Sequence, residues 1–218
     1  MTPYVTADNL HRKSQEWLNT IQSVNLHDFQ PDLSAMALMV IDMQVFFCTP
    51  GASAYLPAVD ATLPNVKRLI QQFRDWNRPV VYTRHAHRQD GSDAGIMKWW
   101  WHHMCLDGSP ESEIHPELTP QLHDLVVTKH RYSAFYNTEL EILLRGKNIT
   151  DLVITGVMTN MCCESTAREA YMRDYKVQFL ADATATATED MHMASLLNLA
   201  FGFANITTAD RLIASLSQ

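Results

Sequence analysis

The chain has 218 residues, 46% of them hydrophobic and 19% charged, with a formal net charge of −7. This length suits one domain with a sizeable core. The lack of a basic tract speaks against a nucleic-acid surface, and no apolar run is long enough to span a membrane. Cys48, Cys105, Cys162 and Cys163 make no disulfide framework in a chain of this size. The first residues lack the basic-then-apolar pattern of a signal peptide. The expectation is therefore a cytoplasmic protein with neither nucleic acid nor membrane as partner.

Residues 1–34 read as a polar extension with one short helix, because Leu10, Ser14, Trp17, Leu18 and Ile21 share a helical face. The domain proper is expected over 35–218. It opens with Ala35 to Ile41, an unbroken apolar run typical of a central parallel strand. That run ends in Asp42, where a carboxylate is costly unless paired; a helix cap, a salt bridge and a general base are the options. Asp60 to Trp76 has helical spacing, and residues 79–82 form the second strand.

The next stretch, 88–120, is rich in glycine and proline and reads as a long loop of the kind that often carries function. It contains Trp99, Trp100 and Trp101 followed by His102 and His103. Three adjacent tryptophans do not all fit one core, so a pocket wall and a subunit contact are both open. Residues 124–128 form the third strand, with Lys129 at its end, and a helix runs from Thr138 to about Arg145 with Gly146 as its stop. Residues 151–154 form the fourth strand. The turn through Cys162 follows, then a helix over 164–174. The fifth strand spans 176–180, with a polar loop over 182–188. A helix over 189–201, a short sixth strand over 204–207 and a helix over 209–216 complete the chain. The alternation predicts a three-layer, doubly wound α/β domain with a six-stranded parallel sheet. No glycine-rich phosphate loop is present, so no nucleotide cofactor is expected.

Asp42, Lys129 and Cys162 each follow a predicted strand, so a parallel sheet brings them to one edge, where open α/β proteins bind ligands. At a helix start, unpaired N–H groups favour a thiolate and an oxyanion. Each residue alone has an ordinary structural explanation. Their shared address makes a catalytic site the better one.

Three segments carry a resemblance: residues 40–44 (VIDMQ), 128–135 (TKHRYSAF) and 156–167 (GVMTNMCCESTA). In this order and spacing the chain resembles the isochorismatase-like family of cysteine hydrolases over about residues 35–212. The resemblance implies an Asp–Lys–Cys triad on Asp42, Lys129 and Cys162, and a cis peptide before Met158. It also implies an oxyanion hole from the N–H groups of Met158 and Cys162, and a homo-oligomer. The implied chemistry is acyl transfer through a thioester. Gln44, Arg84, Trp100, Arg131 and Tyr132 are the candidate substrate contacts, with Arg84, Arg88 and Arg131 able to take a carboxylate.

Within that family, segment 129–135 and the end of the helix at Tyr171 look like isochorismatases, which cleave a vinyl ether and release pyruvate. A cysteine at 162 points instead to cleavage of a C–N bond in a small amide, ureide or carbamoyl compound. Nicotinamidases carry an Asp-x-His metal motif where this chain has His85-Ala86-His87. His87 with His102 or His103 is a conceivable zinc set, but pocket histidines are the simpler reading, and no metal is expected. The remaining alternatives are a vinyl ether hydrolase with Cys162 as bystander and a non-catalytic binding protein on the same fold.

Overall fold

The structure, a computed structural model, describes residues 2–27 and 29–216. The helices are α1 (Leu10–Ile21), α2 (Val45–Cys48), α3 (Val59–Asp75), α4 (Ile96–Trp100), α5 (Leu140–Gly146), α6 (Glu164–Tyr171), α7 (Glu189–Gly202) and α8 (Ala209–Leu216). The strands are β1 (Met36–Ile41), β2 (Val80–His85), β3 (Leu125–Lys129), β4 (Asp151–Val157), β5 (Lys176–Ala185) and β6 (Asn205–Thr207). They form one six-stranded sheet in the order β3-β2-β1-β4-β5-β6, every pair parallel. The chain winds outward from β1 in one direction and from β4 in the other, so the order reverses between these two central strands. A crevice opens at such a reversal, beyond the strand ends.

The centre of the sheet is apolar because helices cover both of its faces. All of β1 and β4 is buried. Helix α1 packs its Trp17, Leu18 and Ile21 into the same core, against β5 and α7. Lys13 and the Trp17 indole both bind Glu189 of α7 and fix its orientation.

Three strands run further than the apolar runs foretell. β2 continues through Thr83, Arg84 and His85, and β4 continues to Val157. β5 extends to Ala185, so most of the expected polar loop over 182–188 is strand. Hydrogen bonds accommodate the polar residues of this extension. Thr184 donates its hydroxyl to the Leu180 carbonyl, and Asp182 accepts the Ala209 N–H at the start of α8. The expected helix over 164–174 starts at Glu164 but ends at Tyr171, and the turn before it is a separate element: residues Thr159–Cys163 form a wide π-helical turn. Such turns concentrate at functional sites.

Candidate active site

Asp42 lies one residue beyond β1, with its backbone in the left-handed region (φ +50°). That conformation is unusual for a residue with a side chain, and Thr83 of β2 secures it. The Asp42 N–H donates to Thr83 Oγ1 at 3.1 Å, and the Thr83 hydroxyl donates to Asp42 Oδ1 at 2.6 Å. Next to this turn, β1 and β4 approach closely. A Cβ on Gly156 (φ +107°) would stand 2.0 Å from the Ile41 carbonyl oxygen, so only glycine fits. The peptide between Val157 and Met158 is cis.

Lys129 ends β3, two strands away from β1. Strands are about 4.8 Å apart, and the lysine's four-carbon stem lets its ammonium reach across β2. Its Nζ lies 2.7 Å from Asp42 Oδ2, 3.0 Å from the Arg131 carbonyl oxygen, 3.3 Å from Cys162 Sγ and 3.3 Å from His85 Nδ1. The contact with Asp42 is an ion pair between two fully buried side chains. Burial alone would drive Lys129 to give up its proton, but Asp42 and Cys162 outweigh it and raise its pKa. It is a fixed cation.

Cys162 sits within the π turn. Thr159, in the same turn, shares a 3.0 Å hydrogen bond with His192 of α7, and Asn160 accepts one from Thr186 at 2.6 Å. Burial pushes the Cys162 thiol up to about 12; Lys129 opposes the shift and Asp42 adds to it. Burial and the neighbouring carboxylate thus favour the thiol, against the preference of a helix start for thiolate. Cys163 is fully buried, its Sγ directed to the Thr155 carbonyl, and takes no part in the cluster.

The sulfur opens onto a cavity of about 290 Å³ lined by Phe46, Phe47, Met97, Trp101, Tyr132 and Met158, with histidines 85, 87, 102 and 103. Among the described residues, no acidic residue, lysine or arginine lines it. The candidate substrate contacts divide accordingly. Tyr132 is on the wall, its hydroxyl accepting the Trp101 indole N–H at 3.0 Å. Trp100 is not: it is 60% exposed on α4, and Trp101 is the tryptophan that faces the cavity. Arg84 turns away to Asp107 and the Ser112 carbonyl. Arg131 clamps the loop through the Asp93 and His130 carbonyls. Gln44 is buried, bridging the His85 backbone and Ser112. Arg84 and Arg131 are therefore both engaged elsewhere, and Arg88 does not line the cavity.

His85 and His87 are the residues whose placement the sequence least foretold. His85 pairs with Lys129 across β2 and β3 and is therefore on the same face. Burial, reinforced by the Lys129 charge, pushes His85 well below the usual histidine range, so it is neutral. Among the described residues, two groups of side chains bring three possible metal donors within 4.8 Å, Asp42–His85–Cys162 and His87–Asp93–His130. Neither suits an ion. In the first, the Lys129 ammonium already stands among the donors. In the second, His130 Nδ1 donates to the Ala86 carbonyl at 2.6 Å and Asp93 accepts the Arg88 N–H. His102 and His103 are exposed and join neither group.

The isochorismatase domain family matches residues 36–211. Nicotinamidase 3 of Arabidopsis thaliana is 39% identical over 85% of this chain and 91% of its own. The isochorismatase of Bacillus subtilis is 34% identical over 76% of this chain, which spans about half (53%) of that longer protein. A crystal structure of a cysteine hydrolase from Pseudomonas syringae pv. phaseolicola superposes with a TM-score of 0.84 at 31% identity, covering 87% of this chain and 96% of that one. The six-stranded parallel sheet, the domain match and these relatives together show that the chain belongs to the isochorismatase family of hydrolases.

Proposed function

We propose that this protein hydrolyses the C–N bond of a small, uncharged carboxamide, with Cys162 as nucleophile and a thioester intermediate. The observation that carries the reading is the position of Cys162 Sγ, at the wall of the cavity and 3.3 Å from Lys129, which is ion-paired to Asp42. A thiol that remains protonated needs a base at hand as it attacks. Asp42 takes the Cys162 proton as the S–C bond forms, then passes it to the nitrogen as the C–N bond breaks and the amine leaves. Water next attacks the thioester and gives a proton to Asp42. The C–S bond breaks, and the proton returns to sulfur. Lys129 keeps its proton throughout and stabilises whichever neighbour is negative. The N–H groups of Met158 and Cys162 are our candidates for binding the oxyanion, where one donor is worth about 3–4 kcal/mol of barrier.

The lining supports a neutral, planar substrate, because aromatic rings and thioethers offer flat apolar contact and no lysine or arginine for a carboxylate. This disfavours isochorismate, a dicarboxylate, and with it the vinyl ether alternative. It favours aromatic carboxamides, and nicotinamide is the first to try given the Arabidopsis relative.

The test is ammonia release from a panel of neutral carboxamides and carboxylate-bearing ureides, run beside Cys162→Ala. Release from the carboxamides that vanishes in the variant supports the reading. Release that survives in the variant overturns it, as does pyruvate release from isochorismate by the variant.

The same reading includes a homo-oligomer, supported by the exposed Ile96, Trp99 and Trp100 on α4. It also includes a cytoplasmic location, supported by four free cysteines. Among the described residues no helix is long and apolar enough to cross a membrane.

A further inference from the structure

We propose that His85, His87 and Asp93 form a hydrogen-bond chain of fixed direction that aims Lys129 at its partners, making His87 and Asp93 positioning residues. The inference rests on the reading of Asp42, Lys129 and Cys162 as the reacting group. The chain runs from Lys129 Nζ to His85 Nδ1 at 3.3 Å, from His85 Nε2 to His87 Nε2 at 3.1 Å, and from His87 Nδ1 to Asp93 Oδ1 at 3.3 Å. A neutral imidazole has one donor and one acceptor, so the two ends dictate the direction. Asp93 is a carboxylate and only accepts, so His87 carries its proton on Nδ1 and presents a lone pair at Nε2. His85 must then donate from Nε2, which leaves a lone pair at Nδ1 for the Lys129 ammonium. The opposite direction would set an N–H against the ammonium and a lone pair against the carboxylate.

The far end of the chain is rigid. Both Asp93 oxygens lie within 3.2 Å of the Arg88 backbone nitrogen, and His130 Nδ1 is 3.4 Å from Oδ2. The Arg131 guanidinium donates to the Asp93 carbonyl and lies so close to Gly95 that a Cβ there would be 2.7 Å from it. Asp93 is held below the usual carboxylate range: partial burial opposes ionisation, but the Arg88 N–H and the flanking histidines prevail.

At the near end, Lys129 has three protons and four acceptors. Asp42 and the Arg131 carbonyl are the two nearest. The third proton is shared by His85 and Cys162, both at 3.3 Å. While sulfur is a thiol, His85 accepts that proton and keeps it beside the sulfur. When sulfur becomes thiolate, the proton swings a short way to meet the new charge. Without the lock from Asp93, His85 is free to carry its proton on Nδ1 and turn it to the Arg131 carbonyl, its other acceptor. It would then displace the lysine from its ligand.

The experiment is histidine side-chain 15N NMR of the full chain near neutral pH, with kinetics on the fastest carboxamide and alkylation of Cys162 by iodoacetamide. In the wild type His85 is expected as the Nε2–H tautomer. Asp93→Ala should shift it toward Nδ1–H, lower kcat about tenfold with KM nearly unchanged, and slow alkylation similarly, the loss of one hydrogen bond to a charged group. Asp93→Asn keeps an acceptor oxygen and should recover most of both the tautomer and the rate. A His85 proton on Nδ1 in the wild type overturns the proposal. So does an Asp93→Ala protein that is folded with tautomer and rates unchanged. The tautomer and alkylation readings need no substrate, so they stand or fall separately from the amidase reading. If Asp93→Ala does not fold, the wild-type tautomer and Asp93→Asn decide.

Discussion

Lys129 is a full charge with a fully buried side chain, and its stability contribution depends on its neighbours. Removing one partner of a buried ion pair leaves the other uncompensated. Lys129→Ala, which strands Asp42, is expected to lower unfolding free energy in urea by about 3–5 kcal/mol and to abolish turnover. An unchanged midpoint would mean the pair is not buried as described. Cys162 gives a second expectation, in pH. Its thiol is pushed up to about 12, chiefly by burial. The thiolate fraction therefore keeps rising through pH 7–10, and the rate of Cys162 alkylation by iodoacetamide should climb about tenfold per pH unit over that range, without levelling. A plateau below pH 8 would show a thiolate formed in advance and remove the need for Asp42 to take its proton. At this scale the sequence was informative where a strand end announced a polar residue, as for Asp42 and Lys129. It was uninformative about orientation. Nothing in Trp99-Trp100-Trp101 says which ring turns inward, because α4 is a single short turn whose direction depends on the loop around it. Likewise Arg84 and Arg131 look like anion binders in one dimension, and only folding reveals the Asp107 carboxylate and the backbone carbonyls that occupy them.

Elements set the precision of the site. The turn holding Asp42 is pinned from β2 through the Thr83 hydroxyl, which both donates and accepts. Thr83→Val preserves shape and removes both bonds. It is expected to lower kcat at least tenfold while costing about 1–3 kcal/mol of stability, as the Asp42 groups are left unpaired. Loss of stability without loss of kcat would show that Asp42 does not need this support. Gly156 is stricter. With a Cβ placed 2.0 Å from the Ile41 carbonyl and a backbone that other residues avoid, Gly156→Ala should separate β1 from β4. The cost is expected to be 3 kcal/mol or more by the same denaturation assay, at the upper end of overpacking effects. The strand cores were legible as apolar runs. Their ends were not, since Thr83, Arg84, His85 and Asp182 are polar residues kept in strands by tertiary hydrogen bonds that no local pattern records. His85 lies in such an extension and His87 two residues beyond it, which is why both read as loop histidines.

For the whole molecule, the winding order places the reversal between β1 and β4, so Asp42 and Cys162 flank it and Lys129 reaches in from the edge strand β3. This was readable from the alternation of strands and helices together with the three strand-end residues, because a parallel sheet leaves little choice about where such ends meet. Assembly was not readable in that way; Ile96, Trp99 and Trp100 form an exposed apolar group beside the cavity mouth. Replacing Trp99 and Trp100 together by serine is expected to shift the protein toward monomer in sedimentation velocity; an unchanged distribution would remove α4 from the interface. The central claim, that Cys162 becomes covalently acylated, is tested most directly by intact-protein mass spectrometry. Protein mixed with a good carboxamide is quenched in acid within the first turnover. The account requires a fraction of the protein heavier by the acyl group, mapped by peptide digestion to Cys162 and absent from Cys162→Ala. Turnover with no adduct on Cys162 at any quench time, or an adduct on Cys163 instead, would contradict it.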